Sequence, residues 1–375
     1  MLDFDYYIQQ GEPSQREKAE TWAVAIGLQD VDGLKPSEYL IDTARKHIEG
    51  DVDYEEAKRL VESYYETLPL SMQNEDEEEA DKVSLHITQL LSENTFTFSP
   101  AGLSNIHRRL FVGVLPFAGR YRDVNITKKE WVLDGDTVLY ASCDAISETL
   151  AYDFEKERAF SYKHVAPDRM IEHIARFIAG VWQIHPFREG NTRTTAIFLI
   201  KYLRKLGFQI TSRPFADYAK YFRNALVRAN YSNYEKKIEE TTEFLELFLR
   251  NVLLGEQNEL KKRYQHIRWQ HPTHNVIGYT RSSTPSSTPS SSLFTQAVER
   301  LILALGEEKL SKKELMNKLM LKDRANFEDY SLTPAIKAEM VTLLYPDAPR
   351  HPRQKYLLTE KGLQVYTHLR TGKQQ

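Results

Sequence analysis

Apolar residues recur at helical spacing through most of this chain, and the few places where the period changes mark its organisation. In 36–68, PSEYLIDTARKHIEGDVDYEEAKRLVESYYETL, residues Tyr39, Leu40, Ala44 and Ile48 share one helical face, and Gly50 is placed to stop the helix. Asp53 then N-caps a second helix that turns Ala57, Leu60, Val61 and Tyr64 inward. The acid run NEDEEEAD at 74–81 reads as a solvated helix start or linker, because nothing spaces its carboxylates around a cavity. Segment 85–180 reads as helix, helix, hairpin, helix. Ser99-Pro100 opens a helix, with a cap residue before a proline at the first helical position. Asp134-Gly135, between Trp131-Val132-Leu133 and Thr137-Val138-Leu139-Tyr140, predicts a tight hairpin. Helix returns in RMIEHIARFIAGVWQI, where Met170, Ile174, Phe177, Ile178 and Val181 form an apolar stripe. TTAIFLIKYLRKLG is apolar on most sides and closes at Gly207, the pattern of a buried central helix with a glycine stop.

After two further helical stretches the composition shifts. IGYTRSSTPSSTPSSS, 277–292, is rich in Ser, Thr and Pro, cannot build a core, and predicts a flexible tether. Beyond it, Ser311 and Glu314 form a capping box ahead of LMNKLML. A second helix around TPAIKAEMVTLL leads to a proline-bounded turn and a strand in YPDAPRHPRQKYLLTEKG, so the expected unit is a winged helix-turn-helix. The expected fold class is mainly α: a helical core with a β-hairpin, plus that winged unit. The expected organisation is an N-terminal helical region (1–82), a core domain (83–276), a linker (277–292) and a winged-helix domain (293–375).

Composition narrows the classes. At 375 residues, 41% hydrophobic and 27% charged, the chain has the make-up of globular protein with more than one domain. A net charge of −3 excludes a polybasic nucleic-acid coat. A lone cysteine, Cys143, forms no internal disulfide and favours a reducing compartment. The opening MLDFDYYIQQGEPSQ carries acids where a secretory signal needs basic residues, and no apolar run approaches the roughly 20 residues that span a bilayer. The expectation is a cytoplasmic protein with no membrane contact.

The chemistry concentrates in HPFREGNTRT, 185–194, which joins two apolar helices. A helix N-terminus presents unpaired N–H groups and partial positive charge, and so attracts phosphate. Gly190 and Asn191 let the backbone approach an anion closely, and Arg193 adds a charge-assisted contact. Glu189 can reach a divalent metal bridging phosphate oxygens; one acid suits Mg²⁺ without excluding Mn²⁺. His185 precedes Pro186, which biases its backbone towards an extended conformation, and its imidazole can act as a general base. Phe187, apolar between polar neighbours, anchors the loop. Taken singly, such a histidine is most often structural, such a turn ordinary and such an arginine solvated. Their joint occurrence in this order reverses those odds and points to phosphoryl or nucleotidyl transfer.

The stretch resembles the signature of the Fic family, H-x-F-x-D/E-G-N-x-R-x-x-R, and the resemblance extends over roughly 85–255, with PFAGRYRDVNI and the hairpin after it similar to the family's flap. It implies a helical core with a β-hairpin and transfer of AMP from ATP to hydroxyl side chains of a target protein. On matching positions, His185 would be the catalytic base, Phe187 the anchor and Glu189 the Mg²⁺ ligand. Gly190, Asn191, Thr192 and Arg193 would bind the nucleotide's phosphates, and the hairpin at 126–141 would align the target as an added strand. The second signature arginine falls at 196, where this chain has Ala196, so a different phosphate donor stays open; Arg223 and Arg228 are candidates to compensate. Family members also carry an inhibitory helix ending in Glu-Gly or Glu-Asn. Glu49-Gly50 matches that end, with Arg45 in place of its Ser/Thr, so Glu49 is a candidate inhibitory acid. The C-terminal unit resembles winged helices appended to some Fic proteins, where Arg350, His351, Arg353 and Lys355 would form a basic wing able to meet DNA or a protein. A DNA-binding regulator with a nucleotide-sensing core is the reading from another class. Exposed helical faces are compatible with a homodimer.

Overall fold

The computed structural model describes residues 4–210, 212–269, 296–306, 308–319, 327–345 and 354–371. They fall into two compact units, within 1–276 and 277–375. The structure is mainly helical.

The first unit opens with α1 (Asp5–Gln10), α2 (Pro13–Gly27), a 3-10 turn (Leu28–Asp32), α3 (Glu38–Glu49) and α4 (Tyr54–Thr67). Local chemistry sets these limits. Ser37 caps α3 through Leu40 N (3.0 Å), Gly50 ends it in the left-handed conformation (φ 88°), and Asp53 caps α4 through Glu56 N (2.8 Å). Helix α2 faces two ways. Trp22 and Ile26 pack with Leu40, Ile48 and Val61, while Val24 and Ala25 join the main core together with Leu28 and Val31 of the 3-10 turn. The N-terminal layer is therefore packed directly against the elements that carry the site.

Those elements are α5 (Glu75–Ser92), α6 (Pro100–Phe111), α7 (Ile146–Ala159), α8 (Pro167–Ile184) and α9 (Asn191–Lys205). They are followed by α10 (Arg213–Asp217), α11 (Ala219–Arg228), α12 (Glu243–Leu254) and α13 (Lys262–Gln265). Ser99 caps α6 through Gly102 N (2.9 Å) ahead of Pro100. Every residue of α9 from Asn191 to Leu203 is buried. Its one lysine there, Lys201, donates to Leu90 O (2.6 Å) and Glu93 O (2.8 Å), satisfying carbonyls at the end of α5.

Two expectations change here. No ladder forms at 126–141; Trp131–Leu133 is a 3-10 turn, and one backbone bond, Glu130 N to Asp136 O (2.9 Å), ties the arms. An alternating strand would bury one of two consecutive residues, whereas Val132 and Leu133 are both fully buried and Ile267 N donates to Val132 O (2.9 Å). Core burial of both side chains overrides the hairpin signal. The acid run at 74–81 starts α5 under an Asn74 cap, as a solvated helix start would, but Asp81 is fully buried against Ser37 N (2.9 Å) and Tyr65 Oη (2.7 Å).

The second unit contains α14 (Gln296–Leu305), α15 (Lys312–Lys318), a π-helical turn (Glu328–Leu332), α16 (Thr333–Lys337), β1 (Val341–Leu343), β2 (Tyr356–Leu358) and α17 (Glu360–Thr371). Strands β1 and β2 pair antiparallel, with Thr342 opposite Leu357, and Leu310 bridges to Tyr356. The helix expected through 333–344 stops at Lys337. Glu339 turns left-handed (φ 59°), and Val341-Thr342-Leu343 pairs as a strand with Leu301, Leu305 and Leu315 in the same core. The tether at 277–292 and Arg350, His351 and Arg353 lie outside the described residues. Among the described residues no helix is long and apolar enough to cross a membrane.

Candidate active site

The loop 185–190 hangs between α8 and α9, and backbone chemistry fixes its entry. His185 ends α8 in the left-handed conformation (φ 49°, ψ 59°), not the extended one expected before proline, and its N–H donates to Trp182 O (3.0 Å). That conformation closes the helix and still avoids the right-handed region that proline disfavours at the preceding residue. Arg122, only 2% exposed, holds the bend from outside the loop. Its guanidinium donates to His185 O (2.8 Å), Val124 O (2.8 Å), Ile184 O (3.3 Å) and Ala141 O, and its N–H to Pro186 O (2.8 Å). One buried cation thus joins Val124 and Ala141, which flank the turn region, to the loop.

Phe187 is the anchor, 1% exposed and stacked on the ring of His107 (3.7 Å, 16°). His107 is itself fixed in one tautomer. Gly119 N donates to Nδ1 (2.8 Å), so the proton sits on Nε2 and is donated to Glu189 O (3.0 Å). Burial drives its pKa down to about 4, only partly offset by that carbonyl, so the ring is neutral. The side chain of Asn191 spans the turn, accepting from Phe187 N (3.0 Å) and donating to Phe187 O (2.8 Å). Thr192 Oγ1 accepts from the indole of Trp182 (2.9 Å). Gly190 is left-handed (φ 75°), and a Cβ there would lie 2.3 Å from the Phe111 ring, so only glycine fits. Asn191 and Thr192 accordingly shape the loop with their side chains; what they present to an anion is the N-terminal amides of α9.

The reactive groups are drawn together but covered. His185 is 3% exposed, and its Nε2 has no hydrogen-bond partner. Its ring stacks on Tyr140 (4.1 Å, 25°), whose hydroxyl is likewise buried without a partner. Burial, reinforced by the charge of Lys128, drives the His185 pKa down to about 3. Glu189 receives the Lys128 ammonium on both oxygens (2.9 and 3.0 Å). Burial raises its pKa, but Lys128 and the Gly190 N–H outweigh that and hold it below the ordinary carboxylate value. Among the described residues no group of three or more His, Cys, Asp or Glu is arranged to hold a metal. Glu189 already converges both oxygens on one cation, and a single carboxylate completed by phosphate oxygens and water is a common Mg²⁺ site, so the donor set fits such an ion.

Arg193 points the other way, into the N-terminal layer. Its side chain is 1% exposed and donates to Glu79 Oε1 (2.6 Å) and Gln29 Oε1 (3.1 Å), lies over the Phe111 ring (4.9 Å), and forms an ion pair with Asp32 Oδ2 (2.9 Å) outside hydrogen-bond alignment. Glu49, the candidate inhibitory acid, is exposed at the end of α3 and bonded to the Tyr7 hydroxyl; the acids that reach Arg193 are Asp32 and Glu79. Ala196 is buried inside α9. Arg223 pairs with Glu130 (3.0 Å) close enough for its charge to act on His185, whereas Arg228 is half-buried, with its Nε and Nη1 buried and unpartnered. A pocket of about 440 Å³ beside Val31 is lined by Glu130, Trp131, Arg223, Asn224 and three lysines.

Residues 97–203 match the Fic/DOC family, and 296–359 match the C-terminal domain of Fic-like "filamentation induced by cAMP" proteins. The protein adenylyltransferase VbhT of Bartonella schoenbuchensis is 26% identical over 132 residues, 35% of this chain and 25% of that protein. A probable protein adenylyltransferase of Sinorhizobium fredii, y4lH, is 29% identical over 129 residues, 33% of this chain and 61% of its own length. The chain thus spans about a quarter of one relative and three-fifths of the other. A crystal structure of a Fic family protein from Desulfovibrio desulfuricans G20 aligns with 95% of this chain and 90% of its own at 18% identity, with a TM-score of 0.41. By the two family matches, the chain carries a Fic/DOC domain at 97–203 and a Fic-like C-terminal domain at 296–359.

Proposed function

We propose that this protein is a Fic-type transferase that moves AMP from ATP to a hydroxyl side chain of a target protein. The observation that carries the reading is the buried, unpartnered Nε2 of His185 beside the amides that open α9. In the reaction, His185 Nε2 takes the proton of the acceptor hydroxyl, whose oxygen bonds to the α-phosphorus as the bond to the pyrophosphate oxygen breaks. The α9 N-terminus receives the phosphates, with Gly190 supplying the left-handed turn that opens the helix. The pocket beside Val31 is the space for the base and ribose. Glu189 would hold Mg²⁺, which when bound neutralises phosphate charge. The loop 126–141 must lift Tyr140 for the acceptor to reach the base. Incubation with ATP labelled at the α-phosphate and Mg²⁺ tests the assignment: label on protein is expected, and its absence from every protein substrate, the chain itself included, ends it.

Autoregulation by the N-terminal layer is part of this reading, with Asp32 and Glu79 holding Arg193 away from phosphate. The double variant Asp32→Asn, Glu79→Gln is expected to bind ATP about tenfold more tightly, since a released guanidinium gains a charge-assisted phosphate bond. Calorimetry checks this alongside the melting temperature, because a buried arginine without carboxylates also destabilises the fold. A folded double variant with unchanged affinity removes the regulatory role.

The second unit is read as a winged helix, from its succession of helix, bridge, helix, helix and paired strands. On that reading the second unit meets DNA phosphates. A salt-sensitive gel shift of random duplex by the full chain is expected, and no shift at low salt defeats it.

A further inference from the structure

Four cations stand near the α9 N-terminus with settled partners. Arg193 is buried against Asp32, Glu79 and Gln29. Arg122 is buried among backbone carbonyls. Arg223 is paired with Glu130, and Arg188 with Asp123. Lys128 differs from all of these. It extends from the first arm of 126–141, its side chain is 27% exposed, and its ammonium touches the anion-facing loop itself, bridging both oxygens of Glu189. It also exerts the largest effect of any charge on His185. An ammonium carries three donors, of which Glu189 takes two, and a four-carbon stem lets it turn.

We infer that Lys128 is a phosphate-positioning residue: it guards Glu189 in the empty site and swings to the donor's terminal phosphates when a divalent cation takes that carboxylate. Position 196, a buried alanine, contributes no charge to those phosphates, and the loop's own exposed cation, Arg188, is turned to Asp123. The inference rests on the transferase reading and adds to it the group that grips the β- and γ-phosphates.

Binding measurements on the full chain separate it from a merely structural role. With Mg²⁺ present, Lys128→Gln is expected to weaken ATP about tenfold, the loss of one charge-assisted bond, and to leave AMP unchanged, since AMP lacks the terminal phosphates. Lys128→Arg is expected to retain most of the ATP affinity. Without nucleotide, Lys128→Gln is expected to bind Mn²⁺ more tightly by electron paramagnetic resonance, because Glu189 has lost its resident cation. Unchanged ATP affinity in Lys128→Gln, or equal weakening of ATP and AMP, overturns the inference and leaves the transferase reading standing. A wild-type protein that binds no nucleotide overturns both.

Discussion

His185→Ala is expected to lower AMP transfer by about 100- to 10,000-fold, the range a general base contributes, while leaving ATP affinity within about twofold. The split follows from how the loop is held. Its backbone depends on Arg122 at the bend, on the Phe187–His107 stack and on the bonds from Asn191 to Phe187. The imidazole of His185 adds a long contact from Nδ1 to Trp182 O (3.3 Å), its stack on Tyr140 and an edge contact with the Trp182 ring (5.1 Å). Losing that stack costs about 1 kcal/mol, which the loop survives. The variant should therefore bind nucleotide and fail at the chemical step. Labelled ATP gives the rate and calorimetry the affinity. Transfer at the wild-type rate would show that another group accepts the proton, and joint loss of transfer and binding would show that His185 shapes the loop.

Much of the site was legible in HPFREGNTRT because its parts are local. A histidine at a helix end, a glycine at a close approach and amides at a helix start are properties of ten consecutive residues. The helix limits at Ser37, Gly50, Asp53 and Ser99 were legible for the same reason. What the sequence concealed is contact at long separation. Arg122 reaches His185 across 63 positions, His107 reaches Glu189 across 82, and Arg193 reaches Gln29 across 164. Nothing in a helical period says which residue of another helix a side chain will meet. Glu79 is the instructive case, because a signal did exist. Counting back from Leu91, Ile87 and Val83 by fours arrives at Glu79, so this acid continues the stripe that α5 turns to the main core. Within an acid run it reads as solvated, and by helical phase it reads as inward. The flap failed in the opposite direction. Asp134-Gly135 does turn the chain, but two adjacent apolar residues, Val132 and Leu133, cannot both face the core from a strand.

The second large effect concerns acid. Three histidines of the first unit are buried and neutral: His47 and His107, with pKa values near 4, and His185 near 3, each lowered chiefly by burial. In His47 and His107 the neutral form is also built in, since Nδ1 accepts from Trp22 Nε1 (3.0 Å) and from Gly119 N (2.8 Å), and a proton placed there would face another N–H. In the unfolded chain these rings bind protons near pH 6.5, whereas the folded chain refuses them until near 4. Between those values the unfolded state holds more protons, so stability is full above pH 6.5 and falls as pH drops towards 4. Each such ring removes about 2 kcal/mol on going from pH 7 to 5, enough in sum to threaten a unit of ordinary stability. Asp81, Asp153 and Glu130 have raised pKa values, mainly through burial, and act in the opposite direction. Urea midpoints at pH 7, 6 and 5 measure the slope. Replacing His47 with asparagine, whose carbonyl can still accept from Trp22, should reduce the loss between pH 7 and 5 by about 2 kcal/mol. A His47→Asn protein whose midpoints fall in parallel with the wild type would mean that this ring takes up its proton without unfolding the layer around it.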